Sequence, residues 1–282
     1  MKIEEIAKNV SKGEDGIYYS KNSSTISYPE SGNENFMQIE QDSFWFNHRN
    51  NVIIEAVKKY NKSNIFFDIG GGNGFVSKGI QDAGMRVVLV EPGSVGAQNA
   101  INRKIENVIC STFEDAGFEN SSLDSVGMFD VIEHIEEDVD FLQKTNTYLK
   151  EDGLIFITVP SFEFLWSDED KDAGHYRRYT LKSLKKTLLE AGYQIEYSTY
   201  IFSILPLPIL LFRSIPSRLG FSKNPDELQR HQEDHKTKKG LSNQILQKIW
   251  DWEIDKVRNA KKISFGSSCF VVGKKMAQHA DK

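Results

Sequence analysis

The chain has 282 residues, 39% hydrophobic and 27% charged, with 20 glycines and 7 prolines. This excludes a disordered or fibrous protein and suits one large globular domain with additions. Its 35 basic against 40 acidic residues leave a net charge of -5, so no overall positive field favours general nucleic-acid binding.

Residues 1–35 are polar, with a brief helical spacing at Ile3, Ile6 and Val10, and read as a loosely held arm. The acidic start does not match a signal peptide, and the two distant cysteines, Cys110 and Cys269, fit neither a metal site nor a redox pair. A cytoplasmic chain without a metal is therefore predicted. Asp42 or Ser43 caps a helix carrying Phe46, Ile53, Ile54 and Val57 and running to Tyr60. Residues 64–69 form the short unbroken apolar run of a strand buried on both faces of a parallel sheet. A helix over 75–83 closes at Gly84, and 85–91 is the next strand. The alternation continues with a helix over 94–103 and strands at 108–110 and 123–131. A helix over 141–149 leads to the β-prone run 154–159, stopped by Pro160. Thr180 caps a helix with Leu181, Leu184, Leu188 and Leu189 on one side, closed by Gly192, and 193–200 is the sixth strand.

The apolar run 200–212 spans about 13 residues and contains Pro206 and Pro208, short of the roughly 20 a transmembrane segment needs. It reads as buried core or a substrate-pocket wall; Arg213 and Arg218 on its flank make peripheral membrane contact the alternative. A polar stretch over 213–239, an amphipathic helix over 243–259 and a closing strand over 263–274 complete the chain. The fold class is α/β, a doubly wound, seven-stranded, mostly parallel sheet. It divides into an arm and lid helix (1–60), a core (61–200), an apolar and helical substrate cap (201–262), and a closing strand with a tail (263–282).

The strongest chemical signal is Asp68-Ile69-Gly70-Gly71-Gly72-Asn73-Gly74, placed directly between a buried strand and a helix, where glycines let the backbone approach a ligand. Glu91, at the end of the following strand, suits ribose hydroxyls. The dinucleotide fingerprint G-x-G-x-x-G fails in the natural register, because Phe75, Val76 and Ser77 follow Gly74. A phosphate-free ligand is favoured, and Asp68 orients the loop or reaches an amino group through water. An NAD(P)-dependent oxidoreductase and a non-catalytic cofactor-binding protein are the rival readings.

Residues 67–74 resemble the first motif of class I S-adenosylmethionine-dependent methyltransferases, usually D-[IV]-G-x-G-x-G. Val90-Glu91-Pro92 resembles their ribose-binding strand end, and Phe113-Glu114-Asp115 falls where adenine-flanking residues lie. Residues 128–135, with Asp130, Glu133 and His134, resemble a segment of the small-molecule branch related to ubiquinone-type O-methyltransferases, and residues 174–180 resemble a further block of it. The resemblance runs from about residue 44 to 274 and implies a Rossmann-like methyltransferase fold with an antiparallel last strand. It implies S-adenosylmethionine as cofactor and S-adenosylhomocysteine as product, held by Asp68, Gly70, Gly71, Gly72, Gly74, Glu91, Pro92, Phe113, Glu114 and Asp130. His134 and His175 are the catalytic candidates, with His134 as general base. Tyr176, Arg177, Arg178 and Tyr179 form an acceptor-binding anion rim or order a loop, and Trp45, His48 and Arg49 form a lid. The expected reaction is in-line methyl transfer to an oxygen of a small molecule, sugar or lipid precursor, with nitrogen second. The segment 213–240 and the oligomeric state have no reading.

Overall fold

The computed structural model describes residues 2–22, 40, 43–221 and 241–277. In chain order these form α1 (Ile3–Ile6), β1 (Val10–Lys12), β2 (Tyr18–Ser20), α2 (Phe44–Tyr60), β3 (Ile65–Ile69), α3 (Phe75–Asp82), β4 (Arg86–Glu91), α4 (Ser94–Asn102) and β5 (Asn107–Cys110). There follow β6 (Leu123–Phe129), α5 (Asp138–Tyr148), β7 (Leu149–Pro160), α6 (Asp168–Asp172), α7 (Leu181–Glu190), β8 (Tyr193–Ile201), α8 (Pro206–Ile209), α9 (Ile215–Arg218), α10 (Leu241–Arg258) and β9 (Ser268–Lys275).

The strands make one sheet in the order β1-β2-β5-β4-β3-β6-β7-β9-β8. The pairings from β5 through β7 are parallel, and β9 runs antiparallel between β7 and β8. The seven expected strands are there, but the sheet has nine. The other two correct the reading of a loose arm: β1 and β2 pair antiparallel, and β2 adds parallel to the edge of β5. Ile3, Ala7, Val10, Ile17 and Tyr18 are all buried, so the arm is held by apolar contact with the sheet edge and the loop after β5. Asn9 N–H donates to the Ala116 carbonyl at 3.2 Å and Lys8 N–H to Gly117 at 3.0 Å. The remainder of the predicted arm, and residues 222–240 of the polar stretch, lie outside the described residues.

Strand β3 explains the unbroken apolar run. Phe66 and Phe67 are both 0% exposed yet point to opposite faces. Phe66 joins Val52, Ile53, Val57, Trp250 and Val257 beneath α2 and α10, while Phe67 joins the cluster with Leu142, Leu184 and Leu188 beneath α5 and α7. Truncating either phenylalanine to alanine is expected to cost about 3 to 5 kcal/mol. Ser43 caps α2 as predicted, its Oγ accepting from Phe46 N–H at 3.3 Å.

Past β8 the apolar run is core only at its start, where Phe202 is 0% exposed and Pro206 is buried; further on it turns to the surface. Leu207, Leu211 and Phe212 are 62%, 47% and 77% exposed, on a stretch of helical backbone that Pro206 opens and that runs through a π-helical turn at Leu210–Ser214. No helix among the described residues is long and apolar enough to cross a membrane.

The order of the strands positions the site. Strand β4 lies on one side of β3 and β6 on the other, so the connections diverge there and leave a crevice at the carboxyl ends of β3, β4 and β6.

Candidate active site

The glycine turn occupies this crevice. Gly70, Gly72 and Gly74 have φ of 67°, 53° and 76°, a region costly for residues with a side chain. A Cβ on Gly70 would also sit 2.8 Å from a Val131 methyl. The turn is thus a bare backbone surface, and carboxylates brace it from two sides. Glu91, 6% exposed, accepts from Gly72 N–H at 2.9 Å and from Gly93 N–H at 2.8 Å, tying the turn to the loop after β4. Asp68, 1% exposed, accepts from Ser77 Oγ at 2.7 Å and so anchors the first turn of α3. Burial pushes the Asp68 carboxyl up to about 6, against which the Ser77 bond works only in part.

A third carboxylate, Asp130, follows β6 with φ of 58° and accepts from Thr158 Oγ1 at 3.1 Å. Arg49 of α2 pairs with it and lies over the Trp45 ring at 4.6 Å from the centroid. Helix α2 therefore reaches the crevice through Arg49. His48 behaves differently. It is 3% exposed and bonded to Glu253 of α10 at 2.9 Å, and Glu253 also accepts the amides of Phe202 and Ser203 at 2.8 and 2.7 Å. These bonds fasten α2, α10 and the end of β8 together. Trp45, stacked on Phe202 at 5.4 Å, belongs to the same junction.

Beyond Asp130 the chain makes a short turn, Ile132–His134, and the segment after α6 folds back on it. Tyr176 N–H donates to the Glu133 carbonyl at 2.8 Å, bringing the His134 and His175 rings to 4.7 Å between centroids. Burial, with His175 beside it, holds His134 down at about 4, so the ring is a neutral imidazole. His175 Nδ1 bonds Asp170 at 2.9 Å, which leaves its other nitrogen for different chemistry. Asp170 is 1% exposed and takes a forked pair from Arg178, at 2.7 and 3.0 Å. Although burial opposes ionisation, the His175 and Arg178 bonds hold its carboxyl down at about 2. Glu133 is 0% exposed, and apart from the approach of its own backbone amide neither carboxyl oxygen meets a donor. Its burial, then the neighbouring Asp130 charge, raises its carboxyl well above the usual range.

The two predicted catalytic histidines thus come together beside Asp130, while the predicted anion rim is engaged within the protein. Arg178 is paired with Asp170; Arg177 meets Asp138 at 3.0 Å, and buried Tyr179 donates to Asp138 at 2.6 Å. These contacts favour the loop-ordering reading, and Tyr176, 49% exposed, is the most open member of the four. Phe113 packs against Phe118, Phe141 and Tyr148 and is 5% exposed, and exposed Glu114 pairs with Lys144. This packing does not favour the adenine-flanking role for either. Pro92 is half-buried, its carbonyl near Cys110 Sγ at 3.8 Å.

Sequence reading gave no role to Asp170, Glu133 or Glu253. Asp170 sits in the acidic run 168–170, indistinguishable from a solvated helix face until the 175–178 segment folds over it. An open groove of about 700 Å³, lined by Asn51, Ile54, Lys58, Gly79 and Ile254, lies between α2, α3 and α10 and includes none of the site residues.

Residues 46–198 match the family described as a methyltransferase domain. No curated protein matches the sequence. Among solved structures, the chain is similar to one from the Haloferax volcanii complex of the Trm112 methyltransferase activator with a methyltransferase, at 15% identity and TM-score 0.55, over 89% of this chain and 95% of that one. It is similar to Haemonchus contortus phosphoethanolamine N-methyltransferase 2 at 16% identity and TM-score 0.56, over 92% of this chain and 62% of that one. The [4+2]-cyclase SpnF aligns at 13% identity and TM-score 0.51, over 82% of this chain and 81% of that one. At such identities the likeness is one of fold.

Proposed function

The chain belongs to the methyltransferase domain family and is an enzyme of that class, and from that premise we propose that it transfers the methyl group of S-adenosylmethionine to an oxygen of a small-molecule, sugar or lipid-precursor acceptor. The observation that carries this reading is the set of carboxylates at the glycine turn: Asp68, Glu91 and Asp130. Negative groups around a bare backbone repel a pyrophosphate and attract a ligand with positive centres. The absent third glycine of the dinucleotide pattern points the same way and, with the family match, displaces the NAD(P) reading. The residues therefore fit S-adenosylmethionine, with Glu91 facing the ribose, the turn passing the aminoacyl chain, and Asp68 and Asp130 near its cationic groups.

When bound, the cofactor supplies a methyl group on a sulfonium already primed to leave. The protein's part is alignment, exclusion of water and handling of the acceptor's proton. Arg49 holds Asp130 and closes the crevice from the α2 side. A hydroxyl acceptor must lose a proton as its oxygen is methylated, and His134, a neutral imidazole, is placed to take it; this supports oxygen as the acceptor atom. The neighbour that methylates phosphoethanolamine makes nitrogen the second reading. Neither Cys110 nor Cys269 is in a disulfide, in keeping with the proposed cytoplasmic setting.

Incubation with radiolabelled S-adenosylmethionine and matched hydroxyl and amine acceptors tests the proposal. Label in the hydroxyl series supports it; label confined to amines moves the reaction to nitrogen. Stoichiometric cofactor binding with no transfer to any acceptor or metabolite fraction favours the non-catalytic alternative.

A further inference from the structure

Three groups in the site are not explained by cofactor binding. Glu133 is fully buried and no other residue donates to its carboxyl oxygens, an arrangement that costs free energy unless a bound partner completes it. One ligand atom each from Glu133, His134 and His175 lie within 4.8 Å of one another. The donors around a bound zinc-type ion are about 3.3 Å apart, so rotations of roughly an ångström close the set.

We propose that Glu133, His134 and His175 hold one divalent transition-metal ion, such as zinc, cobalt or manganese, leaving coordination positions for an acceptor oxygen. Two imidazoles and one carboxylate are the donors such ions take, and three protein ligands with open positions mark a catalytic rather than a structural site. The surroundings are built for it. His175 engages Asp170 through Nδ1, which fixes the tautomer and turns Nε2 outward, the carboxylate–histidine arrangement that orients metal-bound imidazoles. Arg178 in turn holds Asp170 from both carboxylate oxygens, so the orienting group is itself immobile. The bond from Tyr176 N–H to the Glu133 carbonyl joins the two ligand-bearing segments. A dication also supplies the partner that the Glu133 carboxyl oxygens lack within the protein. Metal binding stands on this geometry alone; its role, acidifying and orienting an acceptor hydroxyl in place of direct proton removal by the two imidazoles, rests on the methyl-transfer reading.

The test uses the full chain, stripped by a chelator, dialysed and titrated with Co²⁺ alone while the visible d–d absorption is followed. One Co²⁺ per chain with a distinct d–d spectrum, displaced by Zn²⁺, is expected. Glu133→Gln and His175→Ala are each expected to weaken Co²⁺ at least tenfold while binding S-adenosylhomocysteine as the unaltered chain does, which certifies their folding. Glu133→Gln preserves side-chain volume and is the decisive variant if His175→Ala fails to fold. Absence of stoichiometric Co²⁺ binding, or equal affinity in Glu133→Gln, overturns the site. If Co²⁺ binds as expected but neither S-adenosylmethionine nor S-adenosylhomocysteine does, the metal site stands and the methyl-transfer reading falls.

Discussion

The two sides of the crevice are built by different means. On the cofactor side, the parts come from residues 68–93, close in sequence, and the surface offered to a ligand is largely backbone: three glycines at positive φ, braced by Glu91 and Asp68. On the acceptor side, buried charges come from segments roughly forty residues apart, where Glu133 and His134 meet Asp170, His175 and Arg178. A backbone site needs a few dihedral angles that only certain residues adopt. A network of buried charges needs every partner present at once. The cofactor side should therefore lose affinity gradually under substitution, and the acceptor side should fail as a unit.

The largest expected effect follows from that contrast. Asp170→Ala leaves the half-buried Arg178 and His175 without their partner and should destabilise the fold by about 3 to 5 kcal/mol in chemical denaturation, the range for breaking a buried pair. A loss below about 1 kcal/mol would mean that the network is not cooperative.

Asp68 comes next, through pH. Its folded carboxyl, raised to about 6 from an ordinary 3.8, keeps its proton after the unfolded chain has lost it. Stability from this group is thus full below about pH 3.8 and declines as pH rises through about 6. Asp68→Asn should remove that decline, about 2 to 3 kcal/mol for a fully buried group, as read from melting temperature between pH 4 and 7. An unaltered slope would show that Asp68 is not the titrating group.

Glu91→Ala should weaken S-adenosylhomocysteine binding by about 1 to 3 kcal/mol with the fold retained, measurable by calorimetry. Unchanged affinity would remove Glu91 from the cofactor side. Arg177→Ala is the mildest: its pair with Asp138 is partly exposed, so about 0.5 to 1 kcal/mol of stability should go and cofactor affinity should stay. A tenfold loss of cofactor affinity would couple the two sides more tightly than their contacts indicate.

The same contrast governs what was legible in the sequence. The glycine turn, the Ser43 cap and the β3 run are written in neighbouring residues, and each stands where its pattern places it. The arm was misread because β1 and β2 are stabilised by pairing with β5, about ninety residues on, and local spacing carries little of that. Phe113 was read as adenine-flanking from the resemblance alone, and local sequence did not disclose that its ring packs against Phe118, Phe141 and Tyr148. Asp170 and Glu133 were invisible as buried charges because burial is a property of the fold, and nothing adjacent to them in the chain distinguishes them from surface acids.

On the proposed reading, carboxylates around a bare glycine turn select a cationic, phosphate-free cofactor. Parallel calorimetric titrations of the full chain with S-adenosylmethionine and with NADH at one ionic strength test it most directly. Saturable one-to-one binding of S-adenosylmethionine and no detectable heat of binding for NADH are expected; tight NADH binding with none for S-adenosylmethionine would contradict that selectivity.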